Sequence, residues 1–429
     1  MVKLDFTNAF NSLRRDCMLD AVSDLCPSLY PLVFSAYSSS SSLFWEEDII
    51  HSQGVQQGDP LGPPLFSLTL HQFLVDSLRS DIFTIRKEER IGLHLNPVKS
   101  EIISDNPSIV NSVTSSLPGA TNTSTESAIL FGSLLGVGES LSTAINENIS
   151  TLSRVGERLC NFSLHDSIIL LQSSFFIPRL MFLLRTAPSF LSSYLSDFDS
   201  LLCSTLSSLL NVPLYVSDIA WTEASLPVRR GGLGFRSAVQ LATSCYISSA
   251  ADSSSLVSLI LHDPSHSPHS LPLVTKAKEL WSCASEDISP SPVESESTQK
   301  AWDNPQISAS FHQLLSNAED DLALARLIAV SSSESGAWLQ ALLISSLGLR
   351  LEDCAIKIGV ALRLRLQVCV PHTRHHCGAM VDKFGLHGLS CKKGLGAITD
   401  MQLSMRWYTA VYLQQIFLPV CSGLTGNFL

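Results

Sequence analysis

Positive charge is scarce in this sequence. Lys and Arg number 28 against 39 Asp and Glu in 429 residues, a formal net charge of −11, and charged residues of both signs make up only 16% of the chain. A freestanding, non-specific nucleic-acid binder normally carries a basic footprint, which this composition does not provide. Uninterrupted apolar runs long enough for a membrane span, roughly 18 residues, are missing. The nearest, at 175–184, is broken by Pro178 and Arg179, so no membrane partner is expected. A basic stretch followed by an apolar one is missing at the N-terminus, which argues against secretion. The 11 cysteines are odd in number and scattered, as free thiols of a reducing compartment are. A cytoplasmic or nuclear protein is expected. Hydrophobic residues, at 45%, are ample for a buried core and exclude wholesale disorder.

Pattern divides the chain into six stretches. Residues 1–139 open on an alternating strand at 2–6 that runs into a helix near 10–22, and 65–78 has the spacing of a buried helix. Within this stretch, 104–127 is rich in Ser, Thr, Asn and Pro and reads as a loop or disordered insertion. Residues 140–250 repeat apolar positions at helical spacing (Ile145, Ile149, Leu152, Val155, Leu159), broken at Pro178, Pro188 and Pro213. Residues 251–300 are rich in Ser, Pro and Glu and read as a linker. Helical periodicity resumes over 301–368. Residues 369–396 are dense in Cys, His and Gly, and 397–429 form a divergent tail. The fold class expected is α/β followed by mostly α.

Three strings stand out in the first stretch. In Lys3-Leu4-Asp5-Phe6-Thr7-Asn8-Ala9-Phe10, a carboxylate sits at the end of a hydrophobic strand, where a rigid edge can present it to Mg²⁺, an ion that prefers oxygen ligands. Phe10 follows where strand turns to helix and could wall a sugar. In Gly54-Val55-Gln56-Gln57-Gly58-Asp59-Pro60-Leu61-Gly62-Pro63, glycines permit close backbone approach and prolines stiffen a loop ahead of a helix N-terminus. Gln57 could hydrogen-bond a template base or an incoming nucleotide. The third is Gly92-Leu93-His94-Leu95-Asn96-Pro97-Val98-Lys99-Ser100-Glu101.

These strings resemble motifs A, B and D of the reverse transcriptase palm in non-LTR (LINE-type) retrotransposons. Leu130-Phe131-Gly132-Ser133-Leu134-Leu135-Gly136 resembles the hairpin that follows that palm, and Leu226-Pro227-Val228-Arg229-Arg230-Gly231-Gly232-Leu233-Gly234 resembles the thumb and connector. The resemblance runs from residue 1 to about 396. It implies an incomplete palm, a helical thumb and connector and a small Cys/His knuckle. The activity implied is RNA-directed DNA polymerisation by two-metal nucleotidyl transfer on an RNA template and a DNA primer. Asp5 would be a Mg²⁺ ligand, Lys99 the general acid towards pyrophosphate, and Phe10, Gln57, Gly58 and Asp59 would contact nucleotide or template.

The chain departs from that family where the chemistry is most demanding. The family's Tyr/Phe-x-Asp-Asp hairpin belongs between motifs B and D, yet only residues 79–91 lie there and none forms an Asp-Asp pair. A hairpin with its return helix needs about 20–30 residues, so a deletion is expected rather than a disguised substitution. Glu88-Glu89, in a charged stretch, reads as a solvated face. Motif A starts at residue 3, without the fingers that precede it in the family. An inactive polymerase descendant is therefore expected. The alternatives are an active polymerase whose gene model omits these parts, and a non-enzymatic zinc-knuckle interaction protein.

The knuckle has its own pattern: Cys377, then His387 ten residues on, then Cys391. Two thiolates and an imidazole suit Zn²⁺, which takes four such ligands tetrahedrally. The family's first Cys is replaced by Arg374, leaving His375 or His376 as a fourth ligand. In one subgroup of the family a restriction-like endonuclease with an acidic Pro-Asp signature follows. Residues 397–429 carry no such signature, and target nicking is not expected.

Overall fold

In a computed structural model, the protein is described over residues 1–39, 41–45, 48–52, 54–56, 58–79, 90–262, 271–285, 298–375, 377–385, 387 and 391. The chain forms two compact units, Met1–Ala128 and Ile129–Leu429. The hairpin after the palm-like segment thus belongs to the second unit rather than to a first unit ending at 139.

The first unit runs β1 (Val2–Lys3), α1 (Ala9–Ser12), α2 (Arg15–Leu25), α3 (Tyr30–Tyr37), β2 (Ser41–Trp45), β3 (Asp48–Ser52), α4 (Gly62–Arg79), β4 (Glu101–Ile103), α5 (Pro107–Ser116) and β5 (Thr121–Thr123). β4 is central in a three-stranded sheet, antiparallel to β1 and parallel to β5, and β2 and β3 form a separate antiparallel hairpin. A parallel pair needs a crossover, and α5 supplies it. The loop expected over 104–127 is therefore a helix and a strand. Its polar residues act as caps: the Asn106 side chain accepts from Ser108 N at 3.0 Å, and Pro107 occupies the first turn, where its missing N–H is harmless. The single helix expected over 10–22 is two, broken where Leu13 turns inward at 1% exposure and Arg14 is extended. The helix expected over 65–78 lies within α4. Leu13, Met18, Val22, Val33, Tyr37, Val55, Leu65, Ile91 and Leu93 form the core of this unit.

The second unit is mostly helical. A hairpin, β6 (Ile129–Leu130) and β7 (Ser133–Leu134), precedes α6 (Glu139–Leu159), α7 (Leu164–Ser173), α8 (Ile177–Thr186), α9 (Tyr194–Leu210), α10 (Ile219–Ala224), α11 (Ala238–Leu261), α12 (Pro272–Ala284), α13 (Gln299–Ser316), α14 (Asp321–Val330) and α15 (Asp353–Arg363), and a last hairpin pairs β8 (His372–Thr373) with β9 (Met380–Val381). α11 packs on α8, α9, α12 and α13. α6 approaches α9 so closely that a Cβ on Gly156 would lie 2.9 Å from Thr205 Oγ1. The stretch Leu164–Thr186 has the length and hydropathy of a membrane span. It is broken into α7 and α8 at 174–176, where Phe176 takes φ 55°, and Leu164, Ile168, Leu171, Phe176, Leu180 and Leu184 pack into the main core of this unit.

The linker expected over 251–300 is partly helix. It holds the end of α11 and all of α12, whose Val274, Ala277 and Trp281 form one buried stripe at helical spacing. Trp281 packs edge-on against Trp302, ring centres 5.0 Å apart, and donates its indole N–H to Trp302 O at 2.8 Å.

Buried polar groups tie the helices together. Asp199 on α9 accepts from Ala238 N at 2.7 Å and from the Ser237 hydroxyl, capping α11. Glu223 on α10 meets Arg326 on α14 in a two-point ion pair at 2.5 and 2.8 Å. Arg363, 5% exposed, donates to the carbonyls of Gly232 (3.1 Å), Val228 (2.8 Å), Ser335 (3.2 Å) and Val330 (3.2 Å). Burial lowers its guanidinium pKa to about 10.

Arg363→Met is expected to destabilise this unit by about 1–3 kcal/mol, because the carbonyls of Gly232 and Ser335 lose their donor. Urea unfolding followed by far-UV circular dichroism checks it. A second expectation concerns acid. His165 is buried, its Nδ1 accepts from Leu351 N at 3.0 Å, and desolvation holds its pKa below the ordinary 6.5. The unfolded chain then takes up the proton first, so the stability contributed by His165 is present above pH 6.5 and is lost as pH falls below it. His165→Asn should flatten the stability slope between pH 6.5 and 5, measured by urea midpoints, with Asp166 and Arg350 left in place.

Candidate functional sites

The three strings of the first unit converge. Phe6 and Leu95 form an antiparallel bridge, Thr7 N donates to His94 O at 2.8 Å, and Asn96 N donates to Asp5 O at 2.8 Å. Segment 94–96 therefore lies directly beside segment 5–7. Ser100 fastens the junction. Fully buried, it donates its hydroxyl to Asn96 O at 2.8 Å and accepts from Asp5 N at 3.1 Å. Asn96 also caps the 3₁₀ turn Pro97–Lys99, leaving Lys99 exposed at its end. Lys3 pairs with Glu101 at 2.8 Å.

Segments 3–12 and 54–63 are joined through backbone. Val55 N donates to Phe10 O at 2.7 Å, and a Cβ on Gly54 would lie 2.0 Å from that same oxygen, so only glycine fits. The Phe10 ring stacks on Phe66 of α4, centres 5.1 Å apart. Gly58 takes φ 90° with open space around it. Asp59 accepts from the Tyr37 hydroxyl and from Leu61 N at 2.9 Å, a cap ahead of α4. Burial, then this hydrogen bond, pushes the Tyr37 phenol up. Gln57 and Glu88-Glu89 lie outside the described residues.

Asp5, Phe10, Gly58, Asp59 and Lys99 thus stand on segments that one small framework joins. Phe10 and Asp59 are engaged in packing and capping. Among the described residues, the one group of three or more metal-ligating side chains lies elsewhere. Ser100 and Tyr37 carry much of the framework and were not singled out from sequence. The Asn-Pro pair at 96–97 is a readable cap signal, whereas nothing local marks Tyr37 as the partner of Asp59.

The second candidate site is in the second unit. Ligand atoms of Cys377, His387 and Cys391 all lie within 4.8 Å of one another, and Cys377 Sγ is 3.2 Å from His387 Nε2. β8 and β9 build it: Arg374 N donates to Ala379 O at 3.0 Å and Gly378 N to Arg374 O at 2.8 Å, a tight turn with Gly378 at φ 70°. That turn leaves His375 exposed and outside the group. His376 lies outside the described residues. Two thiolates and one imidazole at this spacing can hold a thiophilic divalent ion. Arg374, at the position of the fourth ligand, carries only donors and cannot ligate.

No protein-family model matches this chain, and no curated protein matches it.

Asp59→Ala is expected to lower the stability of the first unit by about 1–2 kcal/mol, through loss of the Leu61 cap and of the Tyr37 partner. Asp59→Asn should recover most of it, since an amide oxygen still accepts. Chemical denaturation of the three proteins checks both.

Proposed function

We propose that this chain is a descendant of a LINE-type reverse transcriptase that retains part of the palm framework, does not extend primers, and binds Zn²⁺ through its C-terminal Cys/His group. The observation that carries the first part is the direct pairing of segment 5–7 with segment 94–96. In the family resembled, the hairpin with the acidic pair stands between motifs B and D. Here the strand of Asp5 finds the motif D segment as its neighbour instead. Two-metal transfer needs carboxylates that bridge two ions about 3.5–4 Å apart. Among the described residues, Asp5 belongs to no group of three or more metal-ligating side chains. It would hold Mg²⁺ as one ligand among waters and position no second ion. Lys99, exposed on its 3₁₀ turn, then has no reaction to protonate. RNA template and DNA primer are ancestral partners in this reading, and binding to them is weak.

The second part rests on the geometry at Cys377, His387 and Cys391. When bound, Zn²⁺ would tie two ends of a short loop together and serve structure rather than chemistry. A cytoplasmic or nuclear location fits thiols kept reduced for metal binding.

On a primed RNA template with Mg²⁺ or Mn²⁺, neither the wild-type chain nor Asp5→Ala should extend the primer. Metal-dependent product from the wild-type chain that disappears in Asp5→Ala would overturn this reading. Zinc measured per chain should be about one, falling towards zero in Cys377→Ser.

A further inference from the structure

Lys383 and Phe384 stand in the loop between Cys377 and His387, whose two ends the Cys/His group brings together. The same two residues form one wall of a cavity of about 340 Å³, with Glu223, Arg326, Leu327 and Leu366 on other walls. A second cavity of about 170 Å³ is lined by Leu322, Ala361 and Leu362. Arg326, Arg365, Leu366 and Phe384 line both. Phe384 thus stands where the two cavities adjoin, between α14 and the end of α15.

Two cations lie against the ring. The Arg365 guanidinium carbon and the Lys383 ammonium each lie 5.1 Å from its centre. The Lys383 carbonyl accepts from Val368 N at 2.9 Å and from Cys369 N at 3.3 Å, which fixes the loop to the chain leaving α15. Asp320 and Glu319 engage the far side of Arg365, so its position over the ring is set.

The loop itself has little to keep it folded. Among described residues 370–391, Val381 alone is fully buried. The two strands of its hairpin are two residues each. A segment with one buried apolar side chain cannot offset its own ordering entropy without a cross-link or a metal.

We propose that a thiophilic divalent cation on Cys377, His387 and Cys391 is the latch that keeps Phe384 in the groove between α14 and α15, so that metal loss withdraws the ring and joins the two cavities into one open groove. This inference rests on the zinc reading above. The groove's occupant is the chain's own Phe384, and the metal decides whether it stays. Arg365, freed of the ring, would keep its carboxylate partners, so the groove exposed is apolar along its floor with a neutralised rim.

The test uses the full-length chain, stripped of metal by chelation and reloaded with Co²⁺, whose thiolate charge-transfer band reports binding. Amide hydrogen exchange is then followed by mass spectrometry. Metal should slow exchange at 368–369 and over 322–327 by at least ~10-fold, as expected when a local opening is suppressed. Phe384→Ala should keep the Co²⁺ band and the slowing at 368–369 but lose it over 322–327. Cys377→Ser should lose the band and both effects. A full Co²⁺ band with no change in exchange at either segment would overturn the latch while leaving metal binding intact. Unchanged slowing over 322–327 in Phe384→Ala would overturn the role of the ring. Absence of any band in the wild-type chain would overturn the metal reading and the latch together.

Discussion

The second unit depends on one buried cation. Arg363 ends α15 and places its guanidinium among four main-chain carbonyls, from Gly232 and Val228 on one side and from Ser335 and Val330 on the other. Val228 O also accepts from Gly231 N at 3.1 Å and Val330 O from the Ser335 hydroxyl, whereas Gly232 O and Ser335 O are met by Arg363. A planar fork of five N–H donors can satisfy several at once, which an ammonium cannot. The charge is then balanced at one remove. Arg326 reaches both the Arg363 carbonyl and Glu223, so α10, α14 and α15 meet around a single polar knot. The glycines of the 231–234 turn follow from this. A Cβ on Gly232 would lie 2.0 Å from Leu226 O, so the turn closes only with glycine there. Gly336 is bound by the same knot, since a Cβ there would lie 3.0 Å from the guanidinium itself.

In the first unit the equivalent constraint is backbone contact. Segment 54–55 presses on Phe10 and segment 94–96 lies beside 5–7, with glycine at 54 and at 92 where no side chain fits. The glycines of those strings therefore have a packing explanation that is independent of chemistry. Gly54, Gly92, Asp59 and Ser100 hold three distant segments together whether or not a nucleotide ever binds. The residues of this framework are fixed by close packing, so their placement is independent of any chemistry at Asp5.

Periodicity made the long helices legible. The stretches 65–78 and 140–250 carry apolar residues every three or four positions, and helices occupy both. Composition misled at 104–127 and 251–300. Asn106 caps α5, Pro107 and Pro272 sit in the first turns of α5 and α12, and a short helix with one buried stripe looks polar on average. The Cys/His group was legible because its ligands are close in sequence and chemically distinctive. Exclusion of His375 was not, since it depends on the turn at Gly378. The union of 5–7 with 94–96 was also hidden. Pairing between segments some ninety residues apart leaves no local mark in either.

The scarcity of cations acquires a structural meaning from where the arginines sit. Arg363 and Arg326 are in the buried knot. Arg236 is paired with Asp303 and also reaches Ser225 O, Arg350 with Asp166, and Arg365 with Asp320 and Glu319. Arg15 donates to the carbonyls of Gly54 and Ser39, and Lys3 is paired with Glu101. Each of these cations is engaged by a carbonyl or a carboxylate, and most are neutralised by the partner. Affinity for a phosphate backbone comes from cations free to displace its counterions, with each contact adding to the salt dependence. In a chain of net charge −11, cations committed to carbonyls and carboxylates add nothing to that term. The net charge therefore understates the shortage. The arginines named here maintain the fold and are not free to grip a phosphate backbone.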